Sequence, residues 1–207
     1  MTTTAFQYIF DNAESISIDR RAVTAQTISR DQTVRTVSRG GQIWRFSVRL
    51  PDGIRWSDLR SSIESIDYAD RYTPGTVQLN NSGYNDWLTK YQGNCANTNA
   101  VGASWTQGAT SITLTSGQAA SGYNFRKGDL IQLTSSGRVY SVVSDVAYNS
   151  NTVTVNRPIL DESSSGTLKI GPAVTWTVVC TSLPNWTIFA RDQVSWSGEF
   201  VFYEALV

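Results

Sequence analysis

The chain reads as a mainly β protein. One β domain with a single short helix is interrupted by a second, smaller β barrel or sandwich. Three observations predict this. Gly, Asn, Ser and Thr punctuate the sequence at short intervals while proline is sparse, with 5 residues, as in chains of many short strands. Trp44, Phe46, Val48 and Leu50 alternate with Arg45, Ser47 and Arg49, the period of a strand with one buried face. The two cysteines, Cys95 and Cys180, bracket a stretch dense in turn-separated strand signals. The expected domains are therefore residues 1–94 plus 181–207, discontinuous, and an insertion over 95–180. A chain of 207 residues can bury a core as one domain or as two small ones.

In chain order, residues 6–10, 15–18 and 22–28 are expected as short strands. The clearest hairpin joins 33–37 to 42–50 through a turn at 38–41, and Pro51, Asp52 and Gly53 end its second arm. One helix follows. Ser57 is its expected N-cap, Asp58 suits its positive end, and Trp56, Leu59, Ile63 and Ile66 recur at helical spacing. Tyr72, Thr73, Pro74 and Gly75 stop it. Residues 75–79 read as a strand, 83–91 as loop or a short helical turn, and 94–108 as a linker of small polar residues. The insertion then offers strands at 111–115, 129–134, 138–146, 152–156 and 167–170. Residues 174–180 suit pairing with either domain, and 186–190 and 195–204 are the last two strands.

Composition narrows function. The charged share is 16%, the net charge is zero, and seven Trp, nine Tyr and seven Phe are present. Such a surface fits burial against partners, although all-β chains are commonly rich in these residues. There is no histidine, which removes the commonest general base and transition-metal ligand. Two cysteines without histidine cannot build an ordinary structural zinc site. No phosphate loop, nucleophile elbow or GxGxxG occurs, so the expectation is a non-enzyme with no cofactor and no metal. No run of 18 apolar residues predicts membrane insertion. The first ten residues lack a signal-peptide pattern, so cytoplasmic synthesis and reduced thiols are expected. A disulfide between Cys95 and Cys180 would contribute about 4–5 kcal/mol. Buried free thiols are the competing reading.

Nine arginines lie between Arg20 and Arg60 against three aspartates, a local charge of +6. This fits a face for nucleic acid or an acidic partner, or ion pairs with the acidic residues beyond Arg60. No groove reader or stacking platform accompanies them. Tyr84, Trp87, Tyr91, Trp105 and Tyr123 sit in loop-like context, suited to interfaces or sugar stacking. The candidate interface residues are Arg35, Arg39, Trp44, Arg45, Arg49, Trp87, Trp105 and Tyr123. The acid pairs Asp161 with Glu162 and Asp67 with Asp70 have glycosidase chemistry only at defined separations across a cleft. Asn185, Trp186 and Thr187 match a glycosylation acceptor by coincidence.

The stretch 32–46, with Thr33, Arg35, Arg39, Gly41 and Trp44, resembles the early hairpin of tailed-bacteriophage distal tail and baseplate hub-associated proteins. Residues 127–133, 138–146 and 153–158 are similar to the small β module inserted in that family, and 200–206 to its last strand. The likeness spans about two thirds of the chain. It implies a tail-tube-like domain forming a homo-oligomeric ring, commonly a hexamer, in the virion. Such a ring joins the tail tube to baseplate or adsorption proteins, and DNA passes its channel without sequence-specific binding. The alternative expectation is a carbohydrate-binding β module for host-surface attachment.

Overall fold

The computed structural model describes residues 5–20, 24–28, 30, 34–38, 43–69, 72–80, 85–98, 100–134, 136–189 and 191–205. The fold is mainly β. The first part of the chain forms α1 (Ala5–Asp11), β1 (Ser15–Asp19), β2 (Thr24–Ile28), β3 (Val34–Ser38), β4 (Arg45–Arg49), β5 (Ile54–Arg55), α2 (Trp56–Tyr68), β6 (Gly75–Val77) and α3 (Asn85–Thr89). The middle supplies β7 (Gly102–Trp105), β8 (Ser111–Ser116), β9 (Tyr123–Phe125), β10 (Leu130–Leu133), β11 (Val139–Ser141), β12 (Val146–Ala147), β13 (Thr152–Thr154) and β14 (Ser164–Ile170). After a 3-10 turn, β15 (Trp176–Ser182), β16 (Asn185–Phe189), β17 (Gln193–Ser197) and β18 (Phe200–Glu204) complete it.

The first and last parts combine into a body. Its antiparallel sheet has the order β1-β4-β18-β15-β6. The alternation read from the sequence sets its faces: Trp44, Phe46, Val48 and Leu50 point inward while Arg45 and Arg49 stay exposed. Helices α1 and α2 cover the inner face with Phe6, Ile9 and Phe10 and with Leu59, Ile63 and Ile66. An edge-to-face contact joins α1 to the sheet, Phe10 to Phe46 at 5.6 Å, and another lies within the sheet, Phe46 to Trp176 at 5.3 Å. Burying each such ring contributes about 1.5–3 kcal/mol.

The middle folds as a small barrel with the strand order β11-β10-β14-β7-β8-β13. Its two edge strands meet at the Val142–Val155 bridge. The Val143 N–H donates to Thr154 O and the Asn156 N–H to Ser141 O, both at 3.0 Å. Its core holds Val101, Ile112, Phe125, Ile131, Tyr140 and Val153, while Leu130 and Val139 of its strands pack into the body's core.

Several expectations need correction. Residues 6–10 are helix, because Phe6, Ile9 and Phe10 share one face at spacings of three and four. The strand after residue 33 pairs with β2, while β4 lies between β1 and β18, so the expected 33–50 hairpin does not form. Of its proposed turn, 38–41, Ser38 ends β3 and residues 39–41 lie outside the described residues. Three α-helices, rather than one, occur among the described residues. Helix α2 starts at Trp56, and Ser57 receives a cap instead of giving one: its N–H donates to the Asp192 carboxylate at 3.2 Å. The expected linker contains β7. The stretch 195–204 is two strands, broken at Gly198, whose φ of +107° favours glycine. Residues 174–180 run into β15, which pairs with β18 and β6 of the body.

Gly75 lies where β6 passes under α1. A Cβ there would stand 2.5 Å from Phe6 Cδ2. Gly75→Ala is expected to lose about 1–3 kcal/mol by overpacking, read as a lower urea midpoint. An unchanged midpoint would show that α1 shifts freely.

Candidate functional site

Two regions carry the molecule's unusual chemistry. One is the seam between body and barrel, the other the body's outer strands. At the seam, Arg157 follows β13 and Glu204 ends β18. Val153, Val155 and Arg157 share one inward strand parity, as do Phe200, Phe202 and Glu204, so each strand carries its charge into the interior. The guanidinium and carboxylate meet fork to fork, Nη1 donating to Oε2 and Nη2 to Oε1, each at 2.6 Å. Their side chains are only 4% and 0% exposed.

Further hydrogen bonds surround the pair. Val139 O accepts from Arg157 Nη2 at 3.0 Å and from the Trp44 indole N–H at 2.9 Å, joining both domains at one carbonyl. The Trp44 backbone N–H reaches Glu204 Oε2 at 3.3 Å. Arg157 also lies over the Tyr140 ring at 5.2 Å. The Tyr140 hydroxyl donates to Asp161 at 2.6 Å and accepts from the Leu160 N–H at 3.1 Å, and Arg138 holds the other Asp161 oxygen at 3.2 Å. Burial first, then the hydrogen bond to Asp161, raises the Tyr140 hydroxyl well above an ordinary tyrosine. Gln132 adds a second tie across the seam, donating to Thr175 O at 2.7 Å and accepting from the Thr175 N–H at 2.8 Å.

Two polar side chains hold the barrel's loops. Buried Asn124 donates to Ala147 O and Ser150 O and accepts from the Ala119 N–H. The Tyr91 hydroxyl donates to Asn124 O and accepts from the Cys95 N–H. Burial, followed by hydrogen bonding with the Cys95 side chain, raises the Tyr91 hydroxyl. Asp129 accepts from the N–H groups of Arg126 and Gln92, and burial lifts its carboxyl above the usual range.

The expected interface residues separate. Trp44 and Trp105 are 2% and 6% exposed and present no surface to a partner. Trp44 continues the inward row of β4, and the Trp105 indole donates to Glu162 O at 2.8 Å from β7. Arg45 and Arg49 are exposed on the open sheet face, Arg49 beside Glu14 at 3.5 Å and Arg45 over Tyr203. Trp87 is 73% exposed on α3. Tyr123 is half-buried under the Arg126 guanidinium at 3.8 Å. Arg39 and the Arg35 side chain lie outside the described residues. Both cysteines are buried free thiols, so no disulfide closes the insertion. Among the described residues no cluster of three metal-ligating side chains occurs, and no helix is long and apolar enough to cross a membrane.

The sequence expectations included Trp44 and Asp161 but did not single out Arg157 and Glu204 as site residues. Their signal was a charge continuing an inward parity at Arg157 and at Glu204. No protein-family model matches the chain, and no curated protein matches it significantly.

Two measurements probe the seam. Arg157→Ala or Glu204→Ala leaves a buried charge uncompensated and is expected to cost about 3–5 kcal/mol in urea unfolding. The double variant Arg157→Met with Glu204→Leu should lose less than either, and additive losses would show no coupling across the seam. Tyr140→Phe orphans the Leu160 N–H and one Asp161 oxygen, for about 1–3 kcal/mol at neutral pH. A raised tyrosine contributes stability that is complete below about pH 10 and lost as pH rises through its folded value. The wild type should therefore lose up to about 1.4 kcal/mol per pH unit more than Tyr140→Phe above that point. Parallel stability curves would place the Tyr140 hydroxyl in solvent.

Proposed function

We propose that the chain is a non-enzymatic virion component, a ring-forming distal tail or baseplate subunit. It would connect a phage tail tube to the baseplate around the DNA channel. The observation that carries this reading is the open face of the body sheet. Helices cover the opposite face, while this one presents Ser15, Ser17, Asp19, Ser47, Arg45, Arg49, Val201 and Tyr203. Hydroxyls with two separated arginines, Arg49 beside Glu14 and Arg45 opposite Asp19, give a nearly neutral wall past which a polyanion slides. So few charges neutralise few phosphates, and the attraction is screened by salt.

The barrel supports the same reading from the other side. Held to the body by the Arg157–Glu204 pair, it can present a docking surface to neighbouring virion proteins at a fixed angle. Six copies closing by rotation are what the family resemblance implies, a heterologous contact repeated around an axis. Exposed Trp87 favours the carbohydrate-binding alternative, since an uncovered indole is a stacking platform for a sugar.

Gold labelling of this chain in intact particles is expected to mark the junction between tail tube and baseplate, with rings visible by negative stain. Label dispersed over the particle, or none in it, would overturn the reading. Saccharide binding by the monomer that Trp87→Ala abolishes would install the alternative.

A further inference from the structure

We infer that the cavity beside Arg20 is a binding site for a carboxylate carried on a short apolar stem. The site needs neither a ring nor a virion and stands independently of the assembly reading. Strand β1 supplies the first observation. Its inward row runs Ile16, Ile18 and then Arg20, and extending the antiparallel register with β4 by one residue sets Arg20 against Trp44. The guanidinium accordingly lies over the Trp44 ring, 5.4 Å from its centroid. Asp19 has the opposite parity and faces Arg45 across the register on the open side of the sheet. Among the described residues no carboxylate stands within ion-pair distance of Arg20. Burial alone, with no neighbouring charge contributing, holds its guanidinium below the usual arginine range. At the seam the inward charges Arg157 and Glu204 neutralise each other. Arg20 continues an inward row in the same way but has no such counter-ion.

The cavity is the second observation. It has a volume of about 340 Å³ and walls of Ile16, Ile18, Trp44, Leu88 and Leu130, and Arg20 is the one charged group among the described residues that line it. This volume lies at the small end of ligand sites, which are mostly apolar with a few placed polar groups. Strand β1, helix α3 and the turn into β10 border the space. On the barrel side the wall is Gly128, where a side chain would meet nothing within 4 Å. The wall's own donors are already used: the Trp44 indole N–H goes to Val139 O and the Gly128 N–H to Val142 O. Arg20 is left as the polar group that can meet a ligand.

These walls select the ligand. A planar guanidinium pairs bidentately with a carboxylate. A free phosphate carries more charge and a tightly held hydration shell, which one arginine among apolar side chains does not replace. A bare carboxylate would leave the walls wet. On an apolar stem it meets Arg20 while the stem removes Ile16, Ile18 and Leu88 from water, the term that scales with buried apolar area. A neutral ligand would fill the space but leave the partly desolvated charge unmatched.

The test titrates the full chain calorimetrically with phenylpropionate and isocaproate, using their amides and inorganic phosphate as controls. At least one of the two acids should bind saturably. Its amide and phosphate should each bind at least about tenfold more weakly, a difference of about 1.4 kcal/mol. Arg20→Gln should bring the acid's affinity down to that of the amide, and Arg20→Lys, which keeps the charge without the fork, should recover part of it. Leu88→Trp, at a partly exposed position, should fill the space and weaken acid and amide together. Circular dichroism checks that each variant keeps the fold. No saturable binding by either acid overturns the site. Acid and amide binding equally, or acid binding that survives Arg20→Gln, overturns it as well. Phosphate bound as tightly as the acid reduces Arg20 to an ordinary surface cation, and acid binding untouched by Leu88→Trp puts the ligand elsewhere; either result overturns the proposal.

Discussion

The architecture depends on one desolvated ion pair. Arg157 belongs to the barrel and Glu204 to the last strand of the body, 47 residues apart, yet both charges are almost wholly removed from water. Desolvating each ion costs several kcal/mol and is offset only when geometry is good and the remaining polar atoms find partners. The first condition holds. The second is met at both Nη atoms and both carboxylate oxygens but not at Arg157 Nε, which is buried and makes no hydrogen bond to a described residue. The fork is bidentate, Val139 O takes the second Nη2 bond, and the Trp44 N–H takes part of the carboxylate. A barrel rotated by a few degrees would forfeit these bonds together. The pair thus acts on orientation more than on net stability.

That constraint organises the neighbouring groups. Trp44 is at once a core ring of the body, edge to face with Trp176 at 5.9 Å, and a donor to the barrel's Val139. Tyr140 lies beneath the guanidinium and passes the polar contact on to Asp161 and Arg138. The Gln132–Thr175 exchange repeats the tie where the chain leaves the barrel. Two small cores, each marginal by size, meet where Leu130 and Val139 of the barrel pack into the body's cluster, and the polar groups at that seam give the contact its direction.

What the sequence disclosed follows from how local each signal is. The inward row of β4 and the helical face of Leu59, Ile63 and Ile66 are periodic over enough residues to read directly. Residues 6–10 were ambiguous, since five positions containing three apolar residues fit either period. Pairing was harder: β4 meets β1 and β18, the latter about 150 positions away, and nothing near residue 45 specifies that. Trp105 was concealed by its neighbours, because Gly102 and Ser104 make a strand look like linker. Glu204 showed its burial through parity with Phe200 and Phe202, but its partner was invisible until the chain folded.

The two domains treat exposed backbone differently. The barrel closes on itself at Val142 and Val155, which removes its open edges. In the body, the chain beyond β6 is capped by a side chain: the Gln7 amide donates to Gln78 O at 2.9 Å and accepts from the Gln78 N–H at 2.8 Å, imitating a strand. Those devices are absent from β16, where apolar side chains accompany the free edge. A sequence that suppresses pairing at two borders and leaves it available at a third concentrates its capacity for association in one place. Because the seam fixes the barrel's orientation, any partner held at that border also has a defined direction relative to the barrel.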